Sequence, residues 1–251
     1  MKIELIVAAG DSFTAGDELL ADELIPKYTE WNCSKYSDNA NQKKFAELGK
    51  ILKNKDRKFL TDYWERSKKM TWANKFAKSV NLPLQNIADR GLSNQEIAHR
   101  TLRTIKDVEN KNTNLNSVLC LIMITHPLRF GFPAMTGKNE YDFETLHFNL
   151  KTISTEQDSE KKYFGKYVLL NADFYDLFWQ SYCALSGLKN YLTYIGVRHE
   201  FFDSSLWSWG VKQADWDRLD KRYGLTYDLD NIINPTFRFS DHPINNHRLP
   251  G

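Results

Sequence analysis

The stretch IELIVAAGDS, residues 3–12, joins an apolar run to an abrupt polar turn. Its first part, Ile3 to Ala8, is predicted to be a short buried strand, because short apolar runs bounded by turn residues are typical of strands. Gly10 breaks this strand, and Ser12 follows two residues later. A strand that ends in glycine and presents a serine can expose a hydroxyl nucleophile. The G-x-S-x-G turn of other serine hydrolases is not present, since Thr14 stands where its second glycine would be.

Further apolar runs alternate with helical patterns along the chain. Leu84 to Ala88 and Val197 to Phe202 are predicted to be strands, and Val118 to Ile124 (VLCLIMI) is predicted to be the central parallel strand, covered on both faces. Strands that alternate with helices predict an α/β fold with a doubly wound parallel sheet and right-handed crossovers. Ligands of such sheets lie at the carboxyl ends of the strands, where the sequence places Ser12 and Thr125.

Helical periodicity and turn residues predict the elements between the strands. Helices are expected over residues 17–24, 42–70, 72–80 and 159–167, over a segment capped by Ser93 or Asn94, and over residues 172–194. Residues 126–150 are predicted to be irregular, because prolines and glycines interrupt them. No repeat or linker divides the chain, so residues 1–251 are predicted to form one domain.

Residues 27–70 are predicted to be an insertion after the first strand, helical and basic beyond residue 42. Lys43 to Lys69 holds ten lysines and arginines against four acidic residues, a net charge of +6. Phe45, Leu48, Ile51 and Leu52 mark one apolar helical face. Amphipathic surface helices explain this pattern, and a lid or a patch for an anionic polymer is the alternative.

Composition limits the classes of function. The whole chain has a net charge of +2, which gives no reason to expect a nucleic-acid partner. Its three cysteines, Cys33, Cys120 and Cys183, lack metal-ligand spacing and suggest free thiols in a reducing, cytoplasmic compartment. No signal peptide or apolar run of membrane-spanning length is seen, and neither a metal nor a cofactor is expected.

Four short blocks in fixed order resemble the SGNH, or GDSL, hydrolase family. The first is Gly-Asp-Ser, the second an Asn followed five residues later by Gly, the third Gly-x-Asn-Asp and the fourth Asp-x-x-His near the C-terminus. The residues that match are Gly10, Asp11, Ser12, Asn86, Gly91, His242 and Pro243. This resemblance implies a flavodoxin-like three-layer α/β/α fold, Ser12 as nucleophile, His242 as base, and Gly91 as an oxyanion donor.

Two blocks depart from the family pattern. Thr125 stands where the third block has Asn, in a Thr-His-Pro-x-Arg-Phe run similar to a variant of phage-type members, and Asn94 is an alternative source of the missing amide. In the fourth block, Phe239 stands three residues before His242, so the acid that orients the base would be the adjacent Asp241 or one from elsewhere, such as Asp203.

Two other histidines, His247 and His126, remain alternatives as the base. His199 lies within a predicted strand and is interpreted as a half-buried structural imidazole.

The resemblance implies a serine esterase that hydrolyses an acyl or acetyl ester of a small molecule or carbohydrate without a metal or cofactor. The altered third and fourth blocks favour an alternative, a binding module that keeps the fold and recognises a glycan. Trp207, Trp209 and Trp216 would then supply rings that stack on sugars. A phosphate-binding loop at Gly10 to Gly16 is disfavoured, because no Walker lysine pattern follows.

Overall fold

The computed structural model describes residues 2–10, 12–16, 19–25, 47–89, 91–125, 129–135, 143–149, 174–203, 218 and 221. Four parallel strands form its main sheet: β1 (Leu5–Ala9), β2 (Leu84–Asn86), β3 (Val118–Ile124) and β6 (Arg198–Asp203). Their order is β2-β1-β3-β6, so β3 lies inside the described sheet as the sequence predicts. The α/β class and the parallel sheet are therefore confirmed.

Helices cover both faces of this sheet. The described helices include α1 (Ser12–Ala15), α2 (residues 47–53), α3 (Arg57–Met70), α4 (Trp72–Ser79), α5 (Asn94–Asn110) and α6 (Phe174–Tyr194). Val7, Cys120 and Ile122 point to one face and pack against α5 and α6. Ile6 and Leu121 point to the other face and pack against α4. This alternation explains why β3 is apolar throughout, since both of its faces are covered.

The structure differs from the prediction in two segments, one predicted to be irregular and one predicted to be a helix. Residues 126–150 contain an antiparallel pair, β4 (Arg129–Met135) and β5 (Phe143–Asn149), which runs in register from Arg129 opposite Asn149 to Met135 opposite Phe143. Pro133 is compatible with β4 because proline is tolerated on edge strands, and this described sheet has only two strands. Within residues 17–24, the described part holds only a 3-10 turn, Ala21–Glu23, instead of a helix.

The basic helical segment has an apolar core of its own. Leu20, Ala21 and Ile25 pack with Leu48 and Leu52 of α2 and with Tyr63 of α3, whose side chain is fully buried. We call this group the helical core; it shares none of its buried residues with the two cores of the sheet. Residues 47–53 and Arg57–Met70 are helical as predicted, with a break at residues 54–56, and residues 26–46 lie outside the described part of the chain.

The helices that the structure describes include none with both the length and the apolar character needed to cross a membrane. Among the cysteines, Cys120 is buried in β3 and Cys183 is exposed on α6, and both are free thiols. Cys120 therefore serves as a small core residue, as its apolar surroundings in the sequence predict. Cys33 lies outside the described residues.

Cys120 makes the free energy of unfolding depend on pH in the alkaline range. Burial raises the pKa of its thiol from 9.0 to about 12. The folded state then keeps a proton that the unfolded chain releases, so this stabilisation is complete below pH 9 and falls between pH 9 and 12. We expect the difference in unfolding free energy between the wild type and Cys120→Val to fall by about 1.4 kcal/mol per pH unit above pH 9. Denaturant titrations of both proteins measure it, and parallel profiles would contradict the expectation.

Candidate active site

The carboxyl ends of the parallel strands meet at one edge of the sheet. Ala9 of β1 pairs with Ile122 of β3, and Ile124 of β3 pairs with Asp203 of β6. The chain crosses from β1 to β2 on one side and from β2 past β1 to β3 on the other. The strand order therefore reverses between β1 and β3. In α/β proteins, the ligand-binding crevice lies at the carboxyl edge beside such a reversal.

Ser12 begins α1 at this reversal point. Between β1 and Ser12, Gly10 packs so tightly that a Cβ atom there would lie 2.9 Å from the Cβ of Thr14 and 3.1 Å from the Cβ of Met123. The amide of Asn86 donates a hydrogen bond to the carbonyl of Thr14 over 3.0 Å and thus ties the end of β2 to α1. The segment that carries Ser12 is therefore fitted against the ends of β2 and β3.

The loop after β2 is fastened beside this segment. The backbone N–H of Asp89 donates to the carbonyl of Gly10 over 3.3 Å, which extends the contact between β1 and β2 beyond the strands. Arg100 of α5 bonds to Asp89 over 3.3 Å and to Glu96 over 3.1 Å. Gly91 turns the chain toward α5 with a φ of +73°. The two predicted blocks at Ser12 and Gly91 therefore share one edge of the sheet.

A buried polar network fixes the end of β3. The amide nitrogen of Asn94 donates to the carbonyl of Thr125 over 2.9 Å and to the hydroxyl of Ser181 over 2.7 Å, and its Oδ1 accepts from the Thr125 N–H over 2.9 Å. All three residues are 0% exposed. The network joins β3, the first turn of α5 and the middle of α6. Ser93 caps α5 by accepting from the Glu96 N–H, so one of the two predicted caps is correct.

The network bears on the predicted roles of Asn94 and Thr125. An amide nitrogen has two hydrogens, and both of those on Asn94 already bond to protein acceptors. Asn94 thus holds the Thr125 peptide in place, and its direct donation to an oxyanion stays a prediction. The sequence does not predict the role of Ser181, because nothing in an aromatic helical pattern indicates that this serine will bond to Asn94.

The predicted base and orienting acid cannot be placed. His242, Asp241, His247 and His126 all lie outside the described residues. The backbone of Asp203 ends β6 one residue short of Thr125 in register, which keeps it at the same edge as Ser12.

The imidazole of His199 lies within β6, as the sequence predicts. Its Nδ1 is 2.9 Å from the carbonyl of Val197, and its ring meets Phe201 edge to face at 5.8 Å. The imidazole is therefore half-buried and bonded beside its own strand, as predicted.

The tight fit at Gly10 leads to a prediction. Gly10→Ala is expected to lower the unfolding free energy by about 1–3 kcal/mol, because a buried Cβ there forces Thr14 or β3 to shift. Denaturant unfolding measures this. The matched control is Gly187→Ala on α6, where a Cβ meets nothing within 4 Å; it is expected to stabilise the helix by about 0.5–1 kcal/mol. Equal effects of the two substitutions would contradict the close packing of Gly10.

In the described portion of the chain, no group of three or more His, Cys, Asp or Glu side chains is arranged to hold a metal ion. Comparison of the chain with protein-family models, curated proteins and solved structures finds no match.

Proposed function

We propose that the protein is a serine ester hydrolase of the SGNH type that acts on an acyl or acetyl ester of a small molecule or carbohydrate. The observation that carries this proposal is the position of Ser12, which begins α1 at the carboxyl edge of the sheet where the strand order reverses. Asn86 and Gly91, the second block of the resemblance, lie at the same edge. The strand order β2-β1-β3-β6, with helices on both faces, supports a flavodoxin-like three-layer fold.

In the proposed reaction, the Ser12 hydroxyl attacks the ester carbonyl carbon while a histidine base, His242, accepts its proton. The carbonyl π electrons move to oxygen, and backbone N–H groups of Ser12 and Gly91 stabilise that oxyanion. When the tetrahedral intermediate collapses, the alcohol leaves with the proton from histidine, and the acyl group stays on Ser12. Water, deprotonated by the same histidine, then releases the acid. Asp241 or Asp203 orients the base.

Asn94 and Thr125 have a supporting role in this scheme. Their mutual hydrogen bonds fix the peptide that ends β3, next to the segment carrying Ser12. A catalytic group placed 1 Å away from its productive position can cost about 100-fold in rate. The network thus keeps the wall of the crevice rigid, while backbone N–H groups supply the oxyanion donors.

A fluorophosphonate probe tests the proposal, because it forms a stable bond with an activated serine. Peptide mapping of the labelled wild-type protein is expected to find the probe on Ser12. Ser12→Ala protein is expected to stay unlabelled under the same conditions. Equal labelling of the two proteins would exclude Ser12 as the nucleophile.

One observation favours a second candidate, a glycan-binding module that keeps the fold without catalysis. Both amide hydrogens of Asn94 are engaged, so the side-chain donor that would replace the third-block Asn is already committed to the protein. Trp207, Trp209 and Trp216, the rings of this alternative, lie outside the described residues. Measurable glycan binding without hydrolysis of p-nitrophenyl acetate or labelling by fluorophosphonate would favour this candidate over the esterase.

A further inference from the structure

The corner between α3 and α4 rests against the end of the segment that carries Ser12. Ser67 of α3 is 0% exposed, and its hydroxyl donates a hydrogen bond to the carbonyl of Gly16. Gly16 has a φ of +85°, and a Cβ atom there would lie 2.7 Å from Cγ2 of Thr71 and 3.2 Å from the carbonyl oxygen of Ser67. Thr71, which links α3 to α4, is also 0% exposed. Gly16 is therefore enclosed by the corner.

This contact fixes the far end of the Ser12 segment. At the near end Gly10 is packed between Thr14 and β3, and in the middle the amide of Asn86 holds the carbonyl of Thr14. Ser67 supplies the third point at Gly16. The single helical turn from Ser12 to Ala15 lies between these points, so its backbone is held from both sides.

Neighbouring contacts anchor α3 itself. Arg66 donates to both carboxylate oxygens of Glu23, over 2.8 and 2.9 Å, and to Asp62 over 2.9 Å. These hydrogen bonds, first to Glu23 and then to Asp62, raise the pKa of Arg66. Tyr63, one turn before Ser67, is fully buried in the helical core. Residues 19–25, which follow Gly16 in the chain, therefore contact α3 and hold it together with the helical core.

From this geometry we infer that Ser67 is a positioning residue, and that α3 supports the segment that carries the nucleophile. In this role α3 is neither a lid distant from Ser12 nor a helix that only covers the surface. The inference rests on the proposed esterase function. Ser67 touches no substrate in this scheme; its hydroxyl sets the position of Gly16 and, through one helical turn, that of Ser12. Loss of this bond leaves the buried Gly16 carbonyl with the backbone N–H of Leu19, which donates to it over 3.3 Å, and removes the hydrogen bond that links the end of the turn to α3.

Ser67→Ala tests this inference. We expect kcat for an activated acetyl ester to fall about 10- to 100-fold with KM within about twofold, because positioning acts on the chemical step. The rate of fluorophosphonate labelling at Ser12 is expected to fall by a similar factor. Ser67→Cys keeps the volume of the side chain with a weaker donor and is expected to give intermediate values. If the alanine variant does not fold, Ser67→Cys is compared with the wild type instead, by the same kcat, KM and labelling rate.

Ser117→Ala is the matched control. Ser117 is 3% exposed, and its hydroxyl also donates to a backbone carbonyl, that of Asn114 over 2.7 Å, at the amino end of β3. We expect this variant to lose stability without a change in kcat or labelling rate. Wild-type labelling at Ser12 together with wild-type rates for Ser67→Ala would overturn the positioning role alone, as would an equal loss of rate in Ser117→Ala. Absence of label at Ser12 in the wild type would overturn the esterase function and this inference together.

Discussion

Replacing Ser12 with alanine is expected to lower kcat for an acetyl ester by on the order of 10⁴-fold or more, the loss seen when a nucleophile is removed from a preorganised site. In the proposed mechanism, the variant without the hydroxyl forms no acyl-enzyme, and the oxyanion donors can assist only direct attack by water. Initial rates of p-nitrophenyl acetate hydrolysis measure the loss, and rapid mixing would show a burst of p-nitrophenol only in the wild type, if deacylation is the slow step.

The control for this experiment is Ser79→Ala, which removes an exposed hydroxyl on α4 that donates to the carbonyl of Phe76 in the same helix. Its rates are expected to match those of the wild type. Retention of more than a tenth of the wild-type kcat in Ser12→Ala would place the chemistry elsewhere or indicate that another group hydrolyses the activated ester.

Asn94→Ala is expected to lower the unfolding free energy by about 3–5 kcal/mol, because it removes three hydrogen bonds from one buried network. The N–H and carbonyl of Thr125 and the hydroxyl of Ser181 would each lose a bond to Asn94 in a site closed to solvent. Urea unfolding followed by circular dichroism measures the change. Since the network fixes the wall of the crevice, a folded variant is also expected to lose activity.

Three further variants distinguish the effect of the network from the effect of burying a single hydroxyl. Thr101→Val removes a fully buried hydroxyl of α5 that donates to the carbonyl of Ile97 in the same helix, and it is expected to cost about 1 kcal/mol. Ser181→Ala alone and combined with Asn94→Ala completes a double-mutant cycle, which is expected to show a coupling of about 1 kcal/mol or more. Additive effects, or a cost for Asn94→Ala no larger than that of Thr101→Val, would contradict the network.

The sequence predicts most strands of the sheet, but few of the side-chain contacts that hold the site in place. Val118 to Ile124 is a strand with the predicted bounds, because a run of seven apolar residues is long enough to be covered on both faces of a parallel sheet. The helix after Ser93 was also predictable, since Ile97, Ile105 and Val108 recur at helical spacing and are all buried. These patterns depend on the local periodicity of the sequence, so they can be recognised without knowing which distant residues each segment contacts.

The contacts that shape the site depend on residues distant in sequence. Ser67 is 51 residues from Gly16, and Ser181 is 87 residues from Asn94. On a helix, either serine resembles any other small polar residue until the fold brings its partner beside it. The hairpin of β4 and β5 escaped prediction for another reason: Gly131 and Pro133 interrupt its alternation, yet a two-stranded ribbon tolerates both.

The helical core has a consequence for how the molecule comes apart. Because its described buried residues form a cluster separate from the cores of the sheet, we expect α2 and α3 to open as a separate cooperative unit while the sheet stays folded. Such an opening would break the bond between Ser67 and Gly16 first. Thermal inactivation would then precede the melting of the sheet, and amide hydrogens of α3 would exchange with solvent before those of β3.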